Sequence, residues 1–462
     1  MTYYSDYIGK KVHLIGVGGS SMSGLALLLK ERGCIVSGSD RSESENITSL
    51  KAAGIDVMIG HCAGNVEDKD LIIHSMAIDP DNIELRTCRK HGIPMMERSV
   101  LLGQLSGEYR ESVCICGTHG KTTTTSMIAQ ILIENGFDPT VHIGGVLRVM
   151  GGSIRVGKKD LFLTEACEYR RSFMNLEPSG AVILNIDRDH LDCYKDIDDI
   201  ESSFSDFLHK IPPNGWVLGN GEDFRIGKIL SSLNCRCITF GQDEKNDYHI
   251  SDLVEDNIGY SSFSLYYHDS ILGYVKMAVP GIFNVMNAVS ALACAHILGA
   301  DMKNACHSIE RFEGAHRRFE KTGMLKGAEL FHDYGHNPVE MRNAISIAKK
   351  RCNNGKLYVV MQPHTYSRVK GLFSDYLTCT KEADVTLVTD IFGAREADPG
   401  DISSDMLVKG MKENGIYAYH TPTFEDAEKF IRENIHDKDV VITLGCGNIY
   451  QLNDMLKEPD DN

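Results

Sequence analysis

Short β-branched, apolar runs alternate with amphipathic helical stretches along almost the whole chain, and two of the strand-to-helix junctions are rich in glycine. That alternation restricts the fold to the α/β class, with mostly parallel sheets flanked by helices and ligands bound beyond the carboxyl ends of strands. At 462 residues the chain is too long for a single core, and the pattern divides into three blocks. Residues 1–107 carry expected strands at 11–15, 34–38 and 71–75, with helices near 23–32 and 48–53. Residues 108–318 carry strands at 112–116, 160–164 and 181–185, a stretch at 216–278 that alternates like antiparallel strands, and a helix at 284–298. Residues 319–462 carry strands at 329–333, 356–362, 385–389 and 440–444.

Composition excludes several functions. A formal net charge of −16 leaves no basic stripe for nucleic acid. The polar N-terminal residues 1–6 have no apolar signal region, and no apolar run is long enough to span a bilayer. The 14 cysteines are scattered, with no Cys-x-x-Cys pair. That argues for reduced thiols, and so for a cytoplasmic protein without structural zinc or disulfides.

The sharpest local signal is GTHGKTTTT at 117–125. It follows a strand and opens a helix, the context of a phosphate loop. Glycines let backbone N–H groups approach phosphates, the helix N-terminus adds positive potential, Lys121 bridges phosphates and the Thr122 hydroxyl suits Mg²⁺. A strict search would miss it, because Ile115 stands where the usual pattern has glycine. The alternative, glycines used for turn geometry alone, leaves a lysine and four weak helix formers at a helix start unexplained.

The other turn, GVGGSS at 16–21, also joins strand to helix, and Asp40 follows the next strand. This reads as a Rossmann-like diphosphate site, for a nucleotide sugar as readily as for NAD. Glu165, Glu168, Asp187, Asp189 and His190 follow strands of the central block, at the edge where ligands bind. Glu165 suits Mg²⁺. His190 is either an unusual ligand or a loop-orienting residue.

Eight ordered motifs resemble the Mur ligase family of peptidoglycan synthesis: GVGGSSMSG (16–24), GTHGKTTTT (117–125), EACEYRRSF (165–173), NIDRDHLDCY (185–194), GIFNVMNA (281–288), GAHRRF (314–319), DYGHNP (333–338) and QPHTYSR (362–368). The resemblance runs essentially end to end, and within the family it lies nearest the branch that joins L-alanine to UDP-N-acetylmuramate. It implies three α/β domains: a Rossmann-like N-terminal domain for the UDP-sugar, a P-loop central domain for ATP and Mg²⁺, and a Rossmann-like C-terminal domain for the amino acid. By resemblance Gly16, Gly18, Gly19, Ser20, Ser21, Met22, Asp40 and Ser75 serve the UDP-sugar. Gly117, Thr118, His119, Gly120, Lys121, Thr122, Thr123, Asn284, Asn287, Arg318 and Asp333 serve ATP. Thr122, Glu165 and His190 are implied at the metal, and His336, His364 and Arg368 at the amino acid, with Lys121, Glu165, His190 and Arg318 as the catalytic set.

The implied reaction transfers the γ-phosphoryl of ATP to the substrate carboxylate, and the amine then displaces phosphate from the acyl phosphate. His336 and His364 are both candidates for the base that takes the amine proton. Asn337, Phe283 and Thr365 depart from the pattern usual in the alanine-adding branch, and Ser205 stands where several relatives carry a carbamoylated lysine. The expected protein is a monomer or homodimer. The rivals are a ligase of the same family that adds a tripeptide in muropeptide recycling, an NAD-dependent oxidoreductase, and a P-loop regulator without ligase activity.

Overall fold

The structure is a computed structural model and describes residues 3–190, 193–352, 354–394 and 396–458. Met1 and Thr2 of the polar N-terminus, and Leu191 and Asp192 of the 185–194 motif, lie outside the described residues. The chain forms two compact units. One comprises Met1–Ile186, Glu201–Gly241 and Ser290–Ala305, the other Asp187–Ile200, Gln242–Val289 and Cys306–Asn462.

The first unit holds two sheets. Strands β1 (Lys11–Ile15), β2 (Ile35–Asp40), β3 (Asp56–Ile59), β4 (Leu71–His74) and β5 (Met95–Glu97) pair in parallel in the order β3-β2-β1-β4-β5. Val12, Leu14 and Ile15 of β1 and Leu71 to Ile73 of β4 are completely buried. Successive buried residues, broken in polarity only by the buried His13 of β1, mark strands covered on both faces. The order reverses between β1 and β4, which opens a crevice at their carboxyl ends, where the glycine turn and Ser75 emerge.

The second sheet of this unit uses β6 (Glu111–Cys116), β7 (Thr140–Leu147), β8 (Gly152–Arg155), β9 (Leu161–Glu165), β10 (Gly180–Ile183), β11 (Trp216–Asn220) and β12 (Arg236–Phe240), in the order β12-β11-β10-β6-β9-β7-β8. Its pairs are parallel except β7 with β8. Central β6 is buried throughout Ser112 to Cys116 and feeds the helix Lys121–Glu134.

The expectation of antiparallel strands over 216–278 holds only for its second half. Residues 216–240 form a parallel strand–helix–strand unit. The Asp223 side chain caps the helix Phe224–Leu230 by accepting from the N–H groups of Arg225 and Ile226. That cap signal outweighs the local alternation.

In the second unit, β13 (Tyr248–Glu255), β14 (Ser261–Tyr267) and β15 (Ser270–Lys276) form an antiparallel meander. A further sheet runs β16-β17-β21-β18-β19-β20, built from β16 (Glu320–Leu325), β17 (Ala328–Asp333), β18 (Leu357–Met361), β19 (Val385–Val388), β20 (Ala418–His420) and β21 (Val440–Leu444). Only β16 is antiparallel to its neighbour. Alternation along β18 sends Leu357, Val359 and Met361 to one face, against Met341, Ala344 and Ile345 of the helix Pro338–Arg351. Tyr358 and Val360 point to the other, against Ala427, Ile431 and Leu452.

Candidate active site

The loop after β6 has the backbone a phosphate cradle needs. Gly117 and Gly120 have φ of 128° and 87°, conformations disfavoured for residues with a Cβ. A Cβ at Gly117 would also lie 3.1 Å from the backbone nitrogen of Asn185. Asn185 pins the loop from the end of the adjacent β10. Its carbonyl accepts from Thr118 N (3.1 Å), its Oδ1 accepts from His119 N (2.8 Å), and its Nδ2 donates to His119 O (3.0 Å). Lys121 begins the helix, and its Nζ donates to the carbonyls of Gly117 (2.6 Å) and Thr118 (2.9 Å). The same ammonium pairs with Glu168 Oε2 at 2.9 Å, where the carboxylate side chain is 3% exposed. Burial works to discharge Lys121, but Glu168, with further help from Glu165, outweighs it and holds the ammonium pKa above its usual value. Lys121 is therefore a fixed cation.

Glu165 ends β9, beside β6. Its Oε2 accepts from the Thr122 hydroxyl (3.0 Å) and its Oε1 from Gly144 N (2.7 Å). A hydroxyl and a carboxylate side by side at a phosphate loop are hard oxygen donors of the kind Mg²⁺ takes from a protein when phosphates and waters complete its shell. The residues present thus fit that ion.

At the first turn, Gly16 has φ of 78°, and the N–H groups of Gly16 and Val17 both donate to Ser39 O. Asp40 closes the turn: its carboxylate accepts from Gly18 N (2.8 Å) and Arg41 N (2.7 Å). A Cβ at Gly18 would meet that carboxylate at 2.9 Å and Ile47 at 3.1 Å, so a larger residue would push Asp40 off the turn. Ser75, beyond the neighbouring β4, accepts from Ala77 N. Ser20 starts the following helix with its carbonyl bonded to Ser23 and Ser153. Met22 is buried. Arg98, just after β5, donates to the Ser21 hydroxyl (3.0 Å).

In the second unit the structure gathers Asp189, His336, His364 and Arg368. Arg368 Nε lies 3.2 Å from Asp189 Oδ1, and its Nη1 donates to His364 Nδ1 (3.0 Å) and His364 O (3.0 Å). Burial raises the Asp189 pKa, but His190 and Arg368 outweigh it and hold it down at about 2. Burial, with His336 and Arg368 adding to it, lowers His364 to about 4. Guanidinium has no acceptor, so His364 Nδ1 carries a lone pair. His336 instead directs Nδ1 at Tyr334 O (3.2 Å), a carbonyl, so its Nδ1 carries the proton and its Nε2 the lone pair. The two rings lie 5.7 Å apart. His190 has φ of 52°, and its N–H donates to Asp189 Oδ1.

Other expected residues are held in the same unit by local bonds. Asn337 accepts from Val339 N and forms a capping box with Glu340, which explains asparagine there: it is the N-cap of the helix Pro338–Arg351. Thr365 donates to Glu396 (2.7 Å). Asp333 accepts from Phe319 N (2.8 Å) and Gly335 N (2.7 Å). Arg318 lies over the Tyr334 ring at 5.0 Å. Asn284 donates to Pro280 O, and Asn287 donates to Asn284.

Sequence reasoning did not single out the loop-pinning role of Asn185, Glu168 as partner of Lys121, Asp189 as partner of Arg368, or Arg98. Each follows the carboxyl end of a strand, so the rule that flagged Glu165 could have found them.

Models of three domains match successive parts of the chain: "Mur ligase family, catalytic domain" over residues 11–110, "Mur ligase middle domain" over 115–295 and "Mur ligase, glutamate ligase domain" over 317–447. A UDP-N-acetylmuramate–L-alanine ligase of Caldanaerobacter subterraneus subsp. tengcongensis is 40% identical over 449 residues, covering 97% of this chain and 97% of its own. One of Clostridium acetobutylicum is 40% identical, covering 97% and 98%. The crystal structure of the UDP-N-acetylmuramate–alanine ligase of Thermotoga maritima superposes with a TM-score of 0.82 at 27% identity, covering 97% of this chain and 98% of that one. A murein peptide ligase of Psychrobacter arcticus shares the fold, with a TM-score of 0.76 at 23% identity and the same coverage. With family models along nearly its whole length and full-length relatives at 40% identity, the chain belongs to the Mur ligase family.

Proposed function

We propose that this protein joins L-alanine to the lactyl carboxylate of UDP-N-acetylmuramate, with ATP cleaved to ADP and phosphate, as a cytoplasmic step of peptidoglycan precursor synthesis. The observation that carries the reading is the corner formed by Lys121, Thr122, Glu165 and Glu168, a part-buried cation held by a buried carboxylate beside hard oxygen donors at a phosphate loop. The alanine-adding choice is supported by the named full-length relatives.

In this reading residues 1–107 take the UDP-sugar, 108–318 ATP, and 319–462 the amino acid, limits within which strands β1–β5, β6–β15 and β16–β21 fall. Gly16, Gly18, Gly19, Ser20, Ser21, Met22 and Ser75 line the diphosphate crevice, and Asp40 holds its turn closed. Lys121 and the loop N–H groups that Asn185 leaves available, at Gly120 to Thr123, neutralise the γ-phosphoryl as it passes to the carboxylate, while Gly117, Thr118 and His119 shape the cradle. Thr122, Glu165 and His190 would hold Mg²⁺, which supplies charge neutralisation at phosphate and carboxylate oxygens. Arg318 serves the phosphates, Asp333 the ribose, and Asn284 and Asn287 the adenine. The Arg368 fork, with Nε on Asp189, offers its Nη2 end to the amino-acid carboxylate. His336, whose Nε2 carries the lone pair, is the better placed of the two histidines to receive the amine proton.

The test is phosphate release with ATP and Mg²⁺, with and without UDP-N-acetylmuramate, and with alanine, glycine, serine or a tripeptide added singly. Release that requires both the UDP-sugar and alanine, and that is lost in Lys121→Ala, is the expected outcome. Dependence on the tripeptide instead would move the protein to the recycling reaction.

A further inference from the structure

A hydrogen-bonded chain within the first unit runs from the first glycine turn to the strand end that carries Glu165. Arg98 Nη1 donates to Ser21 Oγ at 3.0 Å. Ser21 Oγ lies 2.8 Å from His142 Nε2, and His142 Nδ1 lies 3.1 Å from Thr164 Oγ1. The Thr164 hydroxyl donates to the carbonyl of Glu165 at 3.2 Å. His142 and Thr164 are register partners on β7 and β9, and Gly144, two residues beyond His142, donates to the Glu165 carboxylate. None of Arg98, His142 and Thr164 has a role in the reading above.

The chain has a definite polarity. Thr164 spends its proton on the Glu165 carbonyl, so it accepts from His142 Nδ1–H. Burial, reinforced by Arg98, lowers the His142 pKa to about 3, so the ring is neutral and Nε2 then carries the lone pair and accepts the Ser21 O–H. Ser21 in turn accepts from Arg98, which can only donate. A phosphate oxygen at the turn competes for the same Ser21 proton. Once it takes that proton, the satisfied arrangement of the buried ring is the other tautomer: Nε2–H donating to Ser21, and Nδ1 accepting from Thr164, whose proton leaves the Glu165 carbonyl. The ring holds one proton in both arrangements; one leaves Nδ1 for water and one arrives from water at Nε2, with no change of net charge. Two discrete arrangements of one buried ring are what energetic coupling between sites requires.

We propose that His142 is a positioning residue that couples the nucleotide-sugar turn to the ATP-binding corner, so that an anion engaging Ser21 changes the affinity for Mg·ATP, and Mg·ATP reciprocally changes the affinity for that anion. The proposal rests on the function assigned above.

The experiment is calorimetric. The Kd of a non-hydrolysable ATP analogue with Mg²⁺ is measured with and without saturating UDP-N-acetylmuramate in the wild-type protein, His142→Asn and His142→Gln. Asparagine keeps a group near Nδ1 and glutamine keeps one near Nε2, so each variant breaks the chain at one end only. The wild-type ratio of the two Kd values departs from one by about fivefold or more. In either variant that retains a cooperative thermal transition, the ratio returns to within about twofold of one, while the Kd of the ATP analogue measured alone is nearly unchanged. Ring ¹⁵N spectra of the wild type show His142 passing from the Nδ1–H to the Nε2–H form when the UDP-sugar is added. A wild-type ratio of one, variants that keep the wild-type ratio, or an unchanged tautomer would each overturn the coupling with the ligase reading intact. Failure of the wild type to bind either ligand would overturn both.

Discussion

Lys121 stays charged in a part-buried corner because Glu168 faces it at 2.9 Å. Removing the carboxylate's charge while keeping its shape leaves the ammonium buried and under-compensated, which favours its discharge. Glu168→Gln should therefore lower kcat for phosphate release by about 10- to 100-fold and lower the thermal midpoint as well, measured on the fraction that stays folded at the assay temperature. A variant with wild-type kcat would show that Glu168 is dispensable to the lysine. Asn185→Ala removes both side-chain bonds to His119, so it should raise KM for ATP more than it lowers kcat. At this scale the sequence marked Lys121, Thr122 and Glu165 through motif chemistry. Their counterparts were not legible in the same way, because Glu168 and Asp189 take their roles from partners 47 and 179 positions away.

Helical glycines separate what an element wants from what its neighbours permit. Gly103 lies in the helix Arg98–Ser106, where propensity alone makes alanine about 1 kcal/mol better. A Cβ there would fall 1.9 Å from the carbonyl oxygen of Asn175, so Gly103→Ala should destabilise the protein by about 2–4 kcal/mol. Gly227, in the helix Phe224–Leu230, has nothing within 4 Å of such a Cβ, and Gly227→Ala should stabilise by about 0.5–1 kcal/mol. Denaturant titrations of the two variants should move in opposite directions; movement in the same direction would contradict the close approach of helix and loop. The helix Phe224–Leu230 itself was misread within a stretch of apparent β alternation, although Asp223 two residues before Arg225 is an N-cap signal written in the sequence. Periodicity over so short a window does not separate a strand from a two-turn helix.

Across the whole molecule, buried histidines set the response to acid. His13, His142 and His332 are 0%, 5% and 1% exposed. Burial lowers each from 6.5 to about 3, helped by Lys69 at His13, Arg98 at His142 and Arg317 at His332. Between those limits the unfolded chain binds more protons than the folded one, so stability is full above about pH 6.5 and falls as pH drops toward about 3. Each ring adds a slope of up to about 1.4 kcal/mol per pH unit. Thermal midpoints should decline between pH 6.5 and 5, before most carboxylates titrate; a midpoint constant over that interval would contradict neutral burial of these rings.

The sequence by itself determined the α/β class, the central strands of the three sheets (β1, β4, β6, β9, β10, β17, β18 and β21 among them), the two glycine turns and the residue types at the phosphate loop, because strand period, glycine backbone freedom and side-chain chemistry are local properties; short or edge strands such as β3, β5, β7, β8, β16 and β20 carry too little period to be read. Only the tertiary structure decided that Asp40 closes its own turn, that Asn185 pins the phosphate loop, that Asp189 holds Arg368, and that His142 stands between Ser21 and Thr164. A buried polar group must find a partner wherever the packed strands place one, and that choice is made by sheet order and register rather than by neighbours along the chain.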